Sequence, residues 1–457
     1  MKIAILGAAG VRTPLIVQAM ALRQEKVGLT DLVLMDIDGE RLELIAGLTV
    51  PQEAGGQLKF KISRTTDARE ALQGADFVIT TFRVGGMESR VVDERVALDL
   101  GVLGQETTGP GGFAMAMRTI PVLFEYIALM RSVCPNAWLI NFANPAGMLA
   151  EAVLRGAGWQ RAVGICDSPA SMGRVAAAVI GAPPEDVYLD YFGLNHLGWI
   201  RSIRYQGVDV LPRLMEMARS AGGFPDLPFD MDFLTALGMV PNEYLYYYYH
   251  TRQSVQNILS RGKSRGEQIT ELNSRLFADL RVSRQGEDHE GMLVRYQAYL
   301  EERGQTYMTA ETGRAAHSLA GVDPAIADAV ASGGYAGVAL DLIEALNGER
   351  PRQMPLNILN RGAIWGMDAE DVVEIPAFVG KGMIQSMAVG EIPQHCLALM
   401  KQVKEFERLT IAAAMECSYS RAVQALTIHP LVADYRLAKQ LVDGYRLAHG
   451  ELFPVLR

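Results

Sequence analysis

Five short, almost unbroken apolar runs punctuate the first 167 residues: "KIAILGA", "DLVLMDID", "ADFVITTF", "AWLINFAN" and "AVGICD". Continuous rather than alternating apolar runs are the pattern of strands buried on both faces. Stretches of helical periodicity separate them, such as "TPLIVQAMALRQ" after the first and "GERLELIAGLTV" after the second. Strands alternating with helices predict an α/β fold with a Rossmann-like, doubly wound parallel sheet over residues 1–165. Beyond "YLDYFGLNHLGW" the pattern changes. "RLFADLRV", "MLVRYQAYLEERG" and the tail from Cys396 read as helices, with a strand-rich patch, "DVVEIPAFVGKGMI", between them. Residues 166–457 are expected to form a second, mostly helical α+β domain. Residues 317–334, "HSLAGVDPAIADAVASGG", read as a flexible connection. There is no internal repeat and no low-complexity tract.

The turn after the first strand, "ILGAAGVRTP", changes the picture from architecture to ligand. Gly7 permits a sharp turn. Gly10, beside the small Ala8 and Ala9 and before Val11, lets backbone N–H groups and a helix N-terminus approach a pyrophosphate. The spacing is not GxGxxG, so a plain tight turn is the competing reading. Asp36 closes the second strand, with Asp38 two residues on. An acid there accepts ribose hydroxyl hydrogen bonds and repels a 2′-phosphate, which points to NAD rather than NADP.

Composition and charge mainly exclude. The 457 residues are 49% hydrophobic and carry a formal net charge of −9. No basic stripe marks a nucleic-acid partner, and the acidic balance argues against a membrane-surface role. No stretch reads as eighteen consecutive apolar residues, so no membrane span is expected. Cys134, Cys166, Cys396 and Cys417 form no CxxC pair. That spacing fits a reduced, cytoplasmic setting rather than a disulfide framework.

The candidate chemistry sits at the ends of apolar runs. Cys166 is either a small core residue or a displayed sulfur, and His196 in "YFGLNHLGW" is either a satisfied core histidine or a ligand. Together they could hold a divalent transition metal with positions left open for substrate oxygens. "VPNEYLYYYYH" supplies Tyr244 and Tyr246 to Tyr249. Most would pack, but one beside a cation could titrate low enough to act as a base. Arg90, Glu106 and Asn144 lie in loops that follow strands or precede helices, and would converge beyond the strand carboxyl ends of such a sheet.

Taken together, "RVGGMESRVVDERVALDLGVLGQETTGPGGFAMAMRTIPV", "NFANPAGMLAEA", "GICDSP", "YFGLNHLGW", "VPNEYLYYYY", "SGGYAGVALDLIEAL" and "AEDVVEIPAFV" resemble the family-four glycoside hydrolases, the NAD- and metal-dependent glycosidases. The match spans most of the chain in the family's order. NAD-dependent members depart from the two-carboxylate glycosidase scheme. The resemblance implies a fold akin to the lactate and malate dehydrogenases and a homodimer or homotetramer. It implies Cys166 and His196 as ligands of a divalent metal, usually manganese. It gives Tyr244 as general base, Asp167 as a proton donor in some members, and Glu106 as a residue polarising the base region. It gives Arg90, Asn144 and Arg265 of "SRGEQ" as holders of a sugar and its 6-phosphate. The implied reaction oxidises the sugar at C3 with NAD, removes the C2 proton, eliminates the aglycone, adds water and returns the hydride. 6-Phospho-β-glucosides are the expected substrates. The alternatives are an α-linked or non-phosphorylated glycoside, a uronide, or a plain NAD-dependent 2-hydroxy acid dehydrogenase. The glycine turn departs from the family's three glycines and a serine, "LNRGAI" from its usual two asparagines and a glycine, and residues 303–330 read as an insertion.

Overall fold

The computed structural model describes residues 1–49, 58–224, 227–314, 334–348 and 350–457. Six strands carry its first half: β1 (Lys2–Leu6), β2 (Asp31–Met35), β3 (Lys61–Thr65), β4 (Phe77–Thr80), β5 (Trp138–Asn141) and β6 (Ala162–Gly164). They pair in parallel in the order β3-β2-β1-β4-β5-β6. That is the order of a dinucleotide-binding sheet, with its crevice where the order reverses between β1 and β4. The five apolar runs became β1, β2, β4, β5 and β6. The edge strand β3, "KISRT", is polar and has no such run.

The second half is mostly helical, as expected, with strands among its helices. It adds β7 (Val187–Leu194), β8 (Leu197–Tyr205), β9 (Val208–Asp209), β10 (Val240–Pro241), β11 (Arg352–Leu359), β12 (Val372–Gly380) and β13 (Met383–Ser386). All belong to the same sheet, which runs β10-β8-β7-β12-β11-β6 before the parallel strands. The expected boundary at 165/166 falls just after β6, where the next neighbour turns antiparallel through Asn357 opposite Gly164. The sheet continues across it, and so does the main hydrophobic core. The strand-rich patch is the hairpin β12–β13. Residues 317–333 of the expected connection and 315–330 of the insertion lie outside the described residues.

The two helical stretches of the middle region form a hairpin, Arg265–Gln285 and His289–Gln305. It packs on helix Gly39–Gly47 through a small core of its own that includes Leu44, Ile45, Leu276, Leu280 and Tyr296. The tail forms helices Gln394–Glu416 and Tyr419–Ile428, broken where Cys417 takes a φ of 52° and Ser418 caps the next helix. Helix Pro110–Val133 is long and apolar enough to cross a membrane by length and composition, although Arg118 and Glu125 interrupt its apolar run. Its apolar stretch is 61% buried within the protein, and it holds the fully buried Arg118, which accounts for it as a core helix.

Candidate active site

The turn after β1 is shaped by one close approach. Gly7 has a φ of 93°, and a Cβ added there would lie 2.4 Å from the backbone nitrogen of Phe82. Only glycine fits a backbone held that near. The N–H groups of Gly7 and Ala8 both donate to the Met35 carbonyl at 2.9 Å. The N–H of Ala9 donates to Asp36 Oδ2 at 2.9 Å, and that of Asp38 to Asp36 Oδ1 at 3.1 Å. Asp36 thus braces the turn as well as ending β2. Ala8 is fully buried and is not among the residues bordering the cleft. Gly7, Ala9, Gly10, Val11 and Asp36 do border it. Gly7→Ala is expected to weaken NAD binding at least tenfold and to lower the melting temperature. Calorimetric titration with NAD and a thermal melt check both effects.

The same cleft, of about 2670 Å³, reaches Arg90, Glu106, Asn144, Asp167, Tyr244 and Arg265. Arg90 lies on helix Gly86–Asp99, with Nε 2.8 Å from Glu94 and Nη1 2.9 Å from Glu106. Arg83 also ion-pairs with Glu106. Burial opposes ionisation of Glu106, but the Arg90 and Arg83 charges outweigh it and hold the carboxyl at about 2. The direct partners of Glu106 are therefore these two arginines rather than the base. Arg265 donates to the carbonyls of Thr306 at 2.9 Å and Arg303 at 2.8 Å, tying the ends of the helical hairpin together beside the cleft. Arg83 and Arg303 also border the cleft. Sequence reasoning missed both. Arg83 lies in the loop after β4, ahead of the helix on which Arg90, expected on a loop, is found, whereas Arg303 sits in an ordinary helical stretch with no motif around it.

Cys166 follows β6 by two residues and is buried. Burial, with Glu374 and Asp167 adding to it, pushes its thiol well above the usual range. Asp167 precedes helix Ser168–Ile180. His196 occupies the two-residue turn of the β7–β8 hairpin, with a φ of 61°. Its ring stacks on Tyr244, with centroids 3.7 Å apart and planes within 2°. Burial lowers the imidazole to about 4, so it is neutral near pH 7. Nδ1 lies 2.9 Å from Thr107 Oγ1. Nε2 is buried with no hydrogen-bond partner among the described residues.

The Tyr244 hydroxyl accepts from the hydroxyl of Tyr307 at 3.1 Å. Ser168 Oγ donates to Glu243 at 2.6 Å, and burial pushes Glu243 up to about 7. Burial likewise pushes Tyr244 well above the usual tyrosine range. The expected low-titrating tyrosine is therefore not a property of these side chains alone. Among the described residues no three His, Cys, Asp or Glu side chains form a closed metal cluster. A buried sulfur and a buried imidazole nitrogen with no hydrogen-bond partner among the described residues are donors of the kind an open site uses, although neither Cys166 nor His196 borders the large cleft.

The model of the family 4 glycosyl hydrolases matches residues 2–181, and that of the family's C-terminal domain matches residues 191–432. A probable 6-phospho-beta-glucosidase of Bacillus subtilis (strain 168) is 31% identical over 465 residues, covering 99% of this chain and 97% of the relative. A 6-phospho-alpha-glucosidase of Leptotrichia buccalis is 30% identical, covering 100% of this chain and 99% of the relative. The structure of the Thermotoga maritima 6-phospho-beta glucosidase with manganese, NAD+ and glucose-6-phosphate superposes with a TM-score of 0.81 at 27% identity, covering 100% of both chains. A lactate dehydrogenase from a deep-sea metagenome, at 14% identity and a TM-score of 0.51, covers 91% of this chain and 98% of its own and shares the fold alone. With both halves matched and whole-length relatives at 30–31% identity, the chain belongs to family 4 of the glycosyl hydrolases.

Proposed function

We propose that this enzyme hydrolyses 6-phospho-β-glucosides with NAD and a divalent metal, manganese by analogy with the Thermotoga maritima complex. The observation that carries the reading is the buried His196 with its unpartnered Nε2, stacked on Tyr244, which itself borders the dinucleotide cleft. When bound, NAD takes and returns a hydride at the sugar's C3, and the metal, held by Cys166 and His196, supplies Lewis-acid stabilisation.

The chain's own residues do the rest. The later N–H groups of the glycine turn, from Val11 on, meet the pyrophosphate, and Asp36 takes the ribose. Tyr244 Oη removes the proton at C2, with the Tyr307 hydroxyl fixing its orientation. Asp167 protonates the departing glycosidic oxygen. Arg90 and Asn144 hold the sugar, and Arg265 stands with Arg303 for the 6-phosphate. Glu106 keeps Arg90 and Arg83 in register by pairing with both. Water added at C1 completes the hydrolysis with no net redox change. Phosphorylated substrates and cysteines that are all free suit a reducing cytoplasm.

A panel of α- and β-glucosides, with and without the 6-phosphate, tests this in NAD, Mn²⁺ and reductant. Cleavage is expected of the phosphorylated β-linked members without accumulation of NADH. Cleavage of the α-linked members alone would move the enzyme to the other branch of its relatives. Stoichiometric NADH from a 2-hydroxy acid would replace the reading with a dehydrogenase.

A further inference from the structure

We propose that Gln105 and Thr107 fix the tautomer of His196, keeping its proton on Nδ1 and its Nε2 lone pair free for a metal; this rests on the metal-centre reading above. Gln105 Oε1 accepts the backbone N–H of Thr107 at 2.7 Å and of Thr108 at 2.6 Å. Two N–H donors on one atom identify it as the amide oxygen rather than the nitrogen. That oxygen also accepts from the Thr107 hydroxyl at 2.9 Å. A hydroxyl has a single proton. Once it points at Gln105, Thr107 Oγ1 can meet His196 Nδ1, 2.9 Å away, only as an acceptor. Nδ1 therefore carries the hydrogen, and a neutral imidazole then has none on Nε2.

The opposite arrangement fails on its own terms. It would put an N–H at Nε2, which is buried without a partner among the described residues. Orphaned buried N–H groups are rare. A bare nitrogen there is complete once a cation binds.

The loop that supplies Gln105 and Thr107 cannot drift. Helix Pro110–Val133 begins directly against it. A Cβ at Gly111 would lie 2.0 Å from the Gln105 carbonyl oxygen, and one at Gly112 would lie 2.2 Å from that of Thr107. The glycines of "GPGG" let that first turn press on the loop, and so hold the hydroxyl at the histidine. Ligating histidines characteristically direct their other nitrogen to such an outer partner, which orients the ring.

Two measurements test the assignment on the whole protein. In metal-free, ¹⁵N-histidine-labelled enzyme, the His196 resonances, identified by their loss in His196→Gln, should show the proton on Nδ1; a proton on Nε2 overturns the proposal. Free Mn²⁺ followed by electron paramagnetic resonance, without NAD or sugar, should show Thr107→Val binding about 10- to 100-fold more weakly than wild type. Thr107→Ser should restore most of the affinity. Wild-type affinity in Thr107→Val, or equal loss in both variants, overturns the proposal. Failure of the wild-type protein to bind Mn²⁺ would count against the metal-centre reading, and the tautomer measurement then decides the inference alone.

Discussion

The Tyr244→Phe enzyme is expected to fold, to bind NAD and Mn²⁺, and to turn over roughly 10²- to 10⁴-fold more slowly than wild type, the usual worth of a positioned general base. The substitution isolates chemistry from packing. The face-to-face contact with His196 involves the ring, which phenylalanine keeps. The hydroxyl's recorded contact is with the Tyr307 hydroxyl, whose own oxygen also lies 3.4 Å from Glu243. Loss of the Tyr244 hydroxyl therefore leaves Tyr307 with a partner and opens no core cavity. Steady-state kinetics in D₂O reads the result twice. The fall should appear in kcat more than in KM, and the rate at which deuterium enters C2 of the product should fall with it. An unchanged kcat would remove Tyr244 from the reaction.

The largest expected effect on stability lies behind helix Gly86–Asp99. Arg118 and Asp93 are fully buried and joined by two hydrogen bonds, Nη1 to Oδ1 at 2.6 Å and Nη2 to Oδ2 at 2.7 Å. His449 Nε2 lies 2.9 Å from Asp93 Oδ1, and the Tyr445 hydroxyl donates to the Asp93 carbonyl at 3.0 Å. Arg118→Ala would leave the Asp93 carboxylate in the core without its strongest partner. Removing one member of a buried pair costs about 3–5 kcal/mol. A thermal melt should show a large drop, and the double variant Asp93→Asn/Arg118→Met should recover part of it. Asp93 is one helical turn from Arg90, so KM for the phosphorylated substrate should rise in the single variant at temperatures where it remains folded. A single variant as stable as wild type would mean that this cluster carries little of the fold.

Legibility followed burial. β1, β2, β4, β5 and β6 lie inside the sheet, and their uninterrupted apolar residues announce it. The strands that escaped notice each lack that cue for a local reason. β3 is an edge, and "KISRT" carries an edge strand's charges. β11, "RQMPLNIL", is central but has Pro355 in mid-strand, opposite Pro376 of β12, a residue that ordinarily argues against a central strand. The β7–β8 hairpin turns on Asn195 and His196 with no glycine, so its two-residue loop does not stand out. At the site, the sulfur, imidazole and tyrosine were visible only as separate motifs. Nothing in their spacing shows the histidine stacked flat on the tyrosine, because that contact depends on a hairpin and a short helical turn meeting in space. The pairing of Glu106 with two arginines was equally invisible, as was the engagement of Arg265 with carbonyl groups.

The helical hairpin of residues 265–305 meets the cleft through more than one contact. The Tyr296 hydroxyl donates to the Val11 carbonyl at 2.6 Å, and Arg265 and Arg303 of the same hairpin border the cleft. A helix advances about 1.5 Å per residue, so the length of the hairpin sets the spacing between its contact with the glycine turn and its two cleft-bordering arginines. If those arginines receive the phosphate, that length bears on substrate choice as much as their identity does. Adding or deleting a single residue in either arm would misalign these contacts even with every side chain of the site retained.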